Sequence, residues 1–457
     1  MNYAKFLVLL FTTFIFLAAC EKDDTPPQNP PDPPDPADTI PDGPEFEVPE
    51  TSDIIMYEVN LRAFSQSGDL QGVIARLDEL EDLNVNVIWL MPIHPIGQIN
   101  SVNSPYSVKN YKEVGAEYGT FDDLVALTEA AHERGIAVIM DWVANHTAWD
   151  NPWIYDDPEW YTQDGSGNII HPPGTNWMDV ADLNFDNQAM RLAMIDAMKY
   201  WVIQANVDGF RCDYADGVPF GFWKQAIDSL YAIPDREYVL LAEGTRDDHF
   251  VAGFHLTFGW DYYAAMKDVF EGQPATKLYN THQNVYDDIP STRHRLRFTT
   301  NHDESAWDAT PMTLFDGQEG ALAASAVTTF MGGVPMIYTG QEVGRVQTVP
   351  FFSNDPINWN NNPAMREAYE KLMGVYSSSD AARKGTLSDY SNSDVVCFTK
   401  QSGENELLFI ANLRDEVITF EIPGELQNSD WADAFTGDNI TLGTQINLEV
   451  YQYMIML

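Results

Sequence analysis

Cysteine and positive charge are the two things this chain has least of. Three cysteines in 457 residues are too few for a disulfide framework. Nothing in the spacing of Cys212 and Cys397 suggests a bridge or a metal site, so both read as small buried hydrophobes. Lys and Arg number 25 against 69 Asp and Glu, a formal net charge of −44. So acidic a surface repels nucleic acid and phosphate-rich membrane faces, which excludes polyanionic partners and leaves a neutral substrate indifferent. Internal repeats are also missing. Core material is plentiful: 44% of the residues are apolar and 12% aromatic, which excludes global disorder. The length suits one large domain with a satellite.

Residues 1–20 read as a targeting segment. Lys5 supplies a weakly positive start, "FLVLLFTTFIFLAA" is the apolar run, and "LAAC" (17–20) closes it. "LAAC" resembles the lipobox of bacterial lipoproteins, which makes Cys20 the expected lipid anchor. The "EKDD" that follows is similar to an acidic export tag of bacterial surface lipoproteins. Together they imply an exported outer-membrane lipoprotein, exposed at the cell surface and touching the membrane only through Cys20. Residues 21–50 are rich in proline and acid with almost nothing to bury, the composition of an extended, solvated tether.

From residue 54, short apolar runs alternate with amphipathic segments. Strand candidates lie in 54–64, 85–93, 136–146, 207–213, 237–244, 254–260, 295–303 and 333–344. Helical candidates between and after them include 69–84, 121–135, 187–206, 222–233, 320–332 and 363–379. Strands buried on both faces read as continuous apolar runs, and strand–helix alternation implies parallel pairing. Eight such units close into a (β/α)₈ TIM barrel, a fold of the α/β class; a doubly wound open sheet is the competing arrangement. The barrel is expected over 51–377, with residues 147–186 as a small inserted subdomain after the third strand. Beyond it, 378–457 shows short alternating strands and turns, which predicts a C-terminal β-sandwich.

Polar residues gather where these strands finish. The third ends in Asp141, Asn145 and His146, the fourth in Arg211 and Asp213, the fifth in Glu243, and the seventh in Asn301, His302 and Asp303. Taken singly, each has a bland reading as a helix cap, a loop or a structural ion pair. At the matching ends of one barrel they face a common cavity. Converging carboxylates suit hydrolysis of a sugar acetal, which needs a carboxylate nucleophile and a protonated carboxylic acid for the departing oxygen. Arg211, on the same face as Asp213, is expected to favour the ionised carboxylate and lower its pKa. Glu243 ends the apolar run "YVLLAEG", where desolvation would raise its pKa for acid/base duty.

"DWVANH" (141–146), "GFRCD" (209–213), "AEG" (242–244) and "TNHD" (300–303) resemble, in order, the four motif regions of the alpha-amylase family of glycoside hydrolases. "SPYSVKNY" (104–111), "VADLN" (180–184) and "GVPMIYTGQEVG" (333–344) are similar to further family segments. The resemblance covers roughly 54–377 and implies a retaining mechanism on α-linked glucans such as starch or maltooligosaccharides. It matches Asp213 to the nucleophile, Glu243 to the acid/base and Asp303 to the transition-state stabiliser. By the same matching His146 and His302 would bond sugar hydroxyls, Arg211 would position Asp213, and Tyr106 would stack under the sugar. It also implies calcium, held by oxygens of Asn145, Asp182 and the backbone of Gly217; a turn Asn and a capping Asp are the alternatives. A glycan-uptake system would be a natural partner.

Departures from the pattern leave specificity open. Many family members carry Lys-His three and four residues after the nucleophile, and here Asp216 and Gly217 stand there. Cyclodextrin or pullulan hydrolysis and glucanotransfer are alternatives on the same machinery, and an inactive glycan-binding surface lipoprotein is the alternative from another class. Trp149, Trp153, Trp160 and Trp177, in the insertion, read equally as sugar platforms or subdomain core.

Overall fold

The computed structural model describes residues 46–286 and 289–457. The segment expected to direct export, Cys20 and the chain up to residue 45 lie outside the described residues. Eight parallel strands form a closed barrel in the order β1-β10-β9-β8-β7-β6-β3-β2. They are β1 (Met56–Val59), β2 (Val87–Leu90), β3 (Ala137–Trp142), β6 (Gly209–Cys212), β7 (Val239–Ala242), β8 (Leu256–Phe258), β9 (His294–Arg297) and β10 (Val334–Tyr338). Between β3 and β6 the insertion contributes β4 (His146–Ala148) and β5 (Val180–Asp182), an antiparallel pair.

Alternation along each strand decides what fills the barrel. Val87, Trp89, Ala137, Ile139, Leu241 and Phe258 pack into one lumen cluster. Ile88, Leu90, Val138, Met140, Leu240 and Ala242 face outward into the layer shared with the helices. Both faces are apolar, which is why the strands read as unbroken hydrophobic runs.

The helices carry local start signals. Phe121–His132 opens on a capping box between Thr120 and Asp123, and Asn187 caps Gln188–Gln204. The single helix expected over 69–84 is two, Leu70–Ile74 and Leu77–Asp82. They part at Arg76, whose backbone leaves the helical region (φ −123°) while its guanidinium lies 4.1 Å over the Trp359 ring. The seventh barrel strand is shorter than expected. β9 stops at Arg297, and Asn301 caps a new helix, His302–Trp307, by accepting from the Glu304 amide at 2.9 Å. His302 and Asp303 therefore sit on a helical first turn.

Two boundaries shift. Residues 46–50, expected as the end of the tether, belong to the folded body. Phe46 stacks on His132 with ring centroids 4.0 Å apart, and Phe46 and Val48 pack against the lumen cluster. After the barrel's last helix, Pro363–Ser378, a short helix Asp380–Lys384 precedes any strand. Then β11 (Thr386–Asp389), β12 (Val395–Ser402), β13 (Asn405–Asn412) and β18 (Tyr453–Met456) form a four-stranded antiparallel sheet. Two ribbons, β14 (Ile418–Glu421) with β17 (Gln445–Leu448) and β15 (Asp430–Ala432) with β16 (Asn439–Thr441), complete the C-terminal domain. One sheet face (Val395, Cys397, Leu408, Ile410) packs on the ribbons. The other (Val396, Phe398, Leu407, Phe409) packs on the barrel helices, with Phe409 stacked on Phe330 at 5.9 Å. The expected terminal strand 446–457 is divided between β17 and β18, parted near Tyr451, whose φ of 51° breaks the extension. Cys212 and Cys397 are buried and unpaired with each other.

Candidate active site

The site is built around one guanidinium. Gly209 starts β6 at a φ of 147°, and a Cβ there would stand 2.0 Å from the Val239 carbonyl oxygen, so only glycine lets β6 and β7 approach as they do. Two residues on, Arg211 points into the lumen, fully buried, 4.8 Å over the Trp89 ring. Its Nη1 donates to Asp141 Oδ1 and to Asp213 Oδ1, both at 2.9 Å. Its Nη2 lies 2.9 Å from Glu243 Oε2, close enough for an ion pair but without the alignment of a hydrogen bond. Three carboxyl groups from the ends of β3, β6 and β7 thus share one cation.

Its neighbours lock the hub. The Asp213 amide donates to the Trp142 carbonyl at 3.0 Å, and the Tyr214 amide donates to Glu243 Oε2 at 2.7 Å. Trp89 Nε1 and the Tyr106 hydroxyl both donate to Asp141 Oδ2, at 3.0 and 3.1 Å. Tyr106 Oη also lies 2.8 Å from His302 Nε2, and the two rings stack. With the hydroxyl proton given to Asp141, the imidazole must donate to Tyr106. On its other side His302 Nδ1 lies 2.5 Å from Glu58 Oε1. Both ring nitrogens then carry protons. Burial lowers the His302 pKa, but Asp303 and Glu58 together push it up to about 9.

Arg211 does not lower the Asp213 pKa overall, contrary to expectation. Burial lifts that carboxyl to about 6, helped by Asp141 and Asp303, and Arg211 offsets only part. A single cation divided among three acids falls short of their combined desolvation. Burial likewise lifts Asp141 to about 6, and Glu243 to about 7 despite Arg211. The upward direction expected for Glu243 is the one observed.

Asp213, Glu243 and Asp303 line one cleft of about 460 Å³, together with Tyr106, His146 and His302. Asp303 is the most open of the three acids, its side chain 39% exposed. His146 is buried, with its ring edge on Trp177 at 5.6 Å; burial lowers its pKa to about 4, so it meets a ligand as a neutral imidazole. Trp177, Tyr214, Trp307, Phe351 and Phe352 wall the cleft. Of the insertion's other tryptophans, Trp153 and Trp160 pack edge to face on each other, as subdomain core.

The positions expected to hold calcium are neighbours in pairs. Asp182 lies opposite His146 in the β4–β5 pair, and the Leu183 amide donates to the Asn145 carbonyl at 3.2 Å. A Cβ on Gly217 would stand 3.0 Å from Asn145 Oδ1. Burial raises the Asp182 carboxyl against a hydrogen bond with Thr162 and the charge of His171. Among the described residues no three His, Cys, Asp or Glu cluster as metal ligands. Asp182 is the one carboxylate of the expected set, and the other donors are amide and carbonyl oxygens. In kind they fit a hard cation.

Several contributors escaped the sequence reading. Glu58 carried the plainest signal, a charged residue inside the apolar strand "MYEV". Asp141 reads as a strand-end acid of the cavity, and only its bond to Arg211, 70 positions away, went unseen. Phe351 and Phe352 lie in an irregular segment whose composition gave no sign of the cleft.

Comparison with known proteins agrees with this arrangement. A family model described as the alpha amylase catalytic domain matches residues 50–258. Alpha-amylase MalA of Haloarcula japonica is 31% identical over 310 residues, 64% of this chain but only 44% of that protein. Alpha-amylase 3 of Dictyoglomus thermophilum is 28% identical over 372 residues, covering 71% of this chain and 70% of its own length. The crystal structure of an alpha-amylase from Lactobacillus plantarum superposes with a TM-score of 0.80 at 27% identity, over 89% of this chain and 99% of that one. Residues 50–258 match the family's catalytic domain, and fold, ordered motifs and relatives all point to the alpha-amylase family of glycoside hydrolases.

Proposed function

We propose that the protein cleaves α-glucosidic bonds in starch-like glucans or maltooligosaccharides, with retention of anomeric configuration. The single observation that carries this is Arg211, which holds Asp213 and Glu243 side by side at the floor of one cleft. Retention calls for two carboxyls about 5–5.5 Å apart, whereas inversion needs a wider gap that admits a water. Two carboxyls on one guanidinium favour the short spacing.

An Asp213 oxygen attacks the anomeric carbon as the bond to the leaving oxygen breaks. Glu243, held protonated by burial up to about pH 7, gives that oxygen its proton. The resulting glycosyl ester is attacked by water, from which Glu243, now ionised, takes a proton as the ester bond breaks and Asp213 departs as carboxylate. Asp303 faces the positive charge that builds at the sugar ring, and Tyr106 supplies an aromatic face beneath it. His302 spends both ring protons, on Tyr106 and Glu58, and so holds the Tyr106 ring in place beneath the sugar, while neutral His146 lines the same cleft.

Asn145, Asp182 and Gly217 would hold calcium, which would pin the insertion to the end of β3. Chelation is then expected to lower the melting temperature and calcium to restore it, read by scanning calorimetry. Export and lipidation at Cys20, with surface display beside a glycan-uptake system, complete the picture. Support comes from "LAAC" and the acidic residues after it, and loss of membrane association in Cys20→Ala is the check.

Early-time NMR of the products from maltooligosaccharide decides the mechanism. The α-anomer must appear first, and a β-anomer would overturn retention. Product analysis on starch, pullulan and cyclodextrin then fixes linkage preference, and glucan binding without turnover would favour a binding protein.

A further inference from the structure

The residue after the nucleophile has an unusual conformation. Tyr214 has φ 41° and ψ 46°, a left-handed backbone that a bulky residue rarely adopts. Its flanking residues, Asp213 and Ala215, are buried, but Tyr214 is 38% exposed and lines the cleft. Its ring rests against Gly217, where a Cβ would come within 2.2 Å of Tyr214 Cε1. A side chain at 217 would displace the ring. From the insertion, Trp177 meets the ring edge to face, centroids 5.0 Å apart at 79°. Strain, a glycine and a second aromatic therefore cooperate to present one tyrosine face.

That face is on the leaving-group side. The Tyr214 amide donates to Glu243 Oε2, and Glu243 is the group that protonates the departing oxygen, so the departing sugar lies beside Tyr214. Nothing charged from the same loop competes for it. Asp216 turns away to accept from the Thr245 and Arg246 amides and to pair with His249 Nε2 at 2.7 Å. Among the described residues, none that lines the cleft is Lys or Arg.

Resting on the hydrolase function proposed above, we infer that Tyr214 and Trp177 form the leaving-group subsite, an L-shaped aromatic corner that takes one neutral glucosyl ring by stacking. One ring covers the apolar C–H face of the pyranose and the other closes its edge, leaving the hydroxyl rim to water. Stacking reads shape more than hydroxyl pattern. The subsite therefore accepts uncharged leaving sugars of varied linkage and disfavours anionic ones.

The test compares two donors within each variant. Maltotetraose needs the corner, whereas α-maltosyl fluoride has a leaving group too small to use it. In Tyr214→Ala and Trp177→Ala the ratio of kcat/KM for maltotetraose to that for the fluoride is expected to fall about tenfold. Tyr214→Phe, which keeps the ring, should recover it. Because the ratio is taken within one preparation, partial loss of folded enzyme cancels. A ratio within about twofold of the parent in Tyr214→Ala would overturn the corner while leaving the hydrolase intact. If the parent protein turns over neither donor, the hydrolase function itself fails.

Discussion

The two ends of this barrel both carry cavities, and the larger one is at the end without the chemistry. At the N-terminal end, between the strand starts and the C-terminal domain, a space of about 780 Å³ is lined by Arg293, Lys400, His255 and His294 among others. At the C-terminal end the cleft measures about 460 Å³. Titratable groups at the two ends are displaced in opposite senses. At the N-terminal end burial lowers Lys400 to about 7 and His255 and His294 to about 4, which favours their neutral forms. At the C-terminal end burial lifts Asp213 to about 6 and Glu243 to about 7, around one buried cation. Bases tied up by backbone groups and a tyrosine, as Lys400 and His255 are, do not make a catalyst. Acids poised near neutrality, bonded to one another through Arg211, can exchange protons with a substrate. Volume alone would have selected the wrong end.

The sharpest way to break this contrast is at Asp213. Asp213→Asn is expected to lower kcat for reducing-sugar release on the order of 10⁴-fold or more, with circular dichroism unchanged. Retained turnover would move the chemistry elsewhere.

Glu243→Gln should cost roughly 10²–10⁴-fold on maltooligosaccharides. In the parent protein, kcat/KM should be bell-shaped. It falls as pH drops through about 6, where Asp213 gains a proton, and as pH rises through about 7, where Glu243 loses one. The two limbs belong to the coupled cluster. The same variant tests stability with a fixed sign. An unfolded Glu ionises near pH 4.3, and the folded one is held protonated to about 7. The parent therefore loses stability as pH rises between those values. Any gain in melting temperature from Glu243→Gln should be least near pH 4 and grow to a plateau above pH 7.

Glu58→Gln probes the lock on His302 without touching a carboxyl of the hub. Losing the acceptor charge should cost about tenfold in kcat/KM and make His302 titrate lower, visible by NMR of the imidazole. Smallest of all, Lys400→Met at the opposite end should leave kcat/KM within about twofold. It should raise the melting temperature at pH 7, because the unfolded chain holds a proton on Lys400 that the folded one resists. A large activity loss there would erase the contrast between the two ends.

Much of this was legible in the sequence. Seven of the eight barrel strands fall inside the expected segments and β9 begins one residue ahead of its own, because burial on both faces writes itself as continuous apolar runs. The acids were placed at one mouth because each stands just past such a run. Distant pairings were harder to see. Glu58 and His302 are 244 positions apart, and no local pattern announces their bond. The sign of the Asp213 displacement was misread for a related reason. Arg211 stands two residues from Asp213, but the burial that outweighs it is not written locally, and the acids that share the guanidinium, Asp141 and Glu243, arrive from other strands. The β9 boundary was missed because the Phe and Thr residues of "RFTT" (297–300) suit a strand, whereas the strand stops at Arg297 and Asn301 caps the helix that follows.

A hub with one fixed positive charge and three buried acids has a ready welcome for a second. In the proposed reaction the oxocarbenium-like sugar would bring that charge, so the pocket would suit the half-broken bond better than the intact one. Flat, basic sugar mimics that become cationic on binding should exploit the same vacancy. Their grip should tighten as the pH is raised toward the point where the acids let go of their protons, and slacken again once the mimic itself turns neutral.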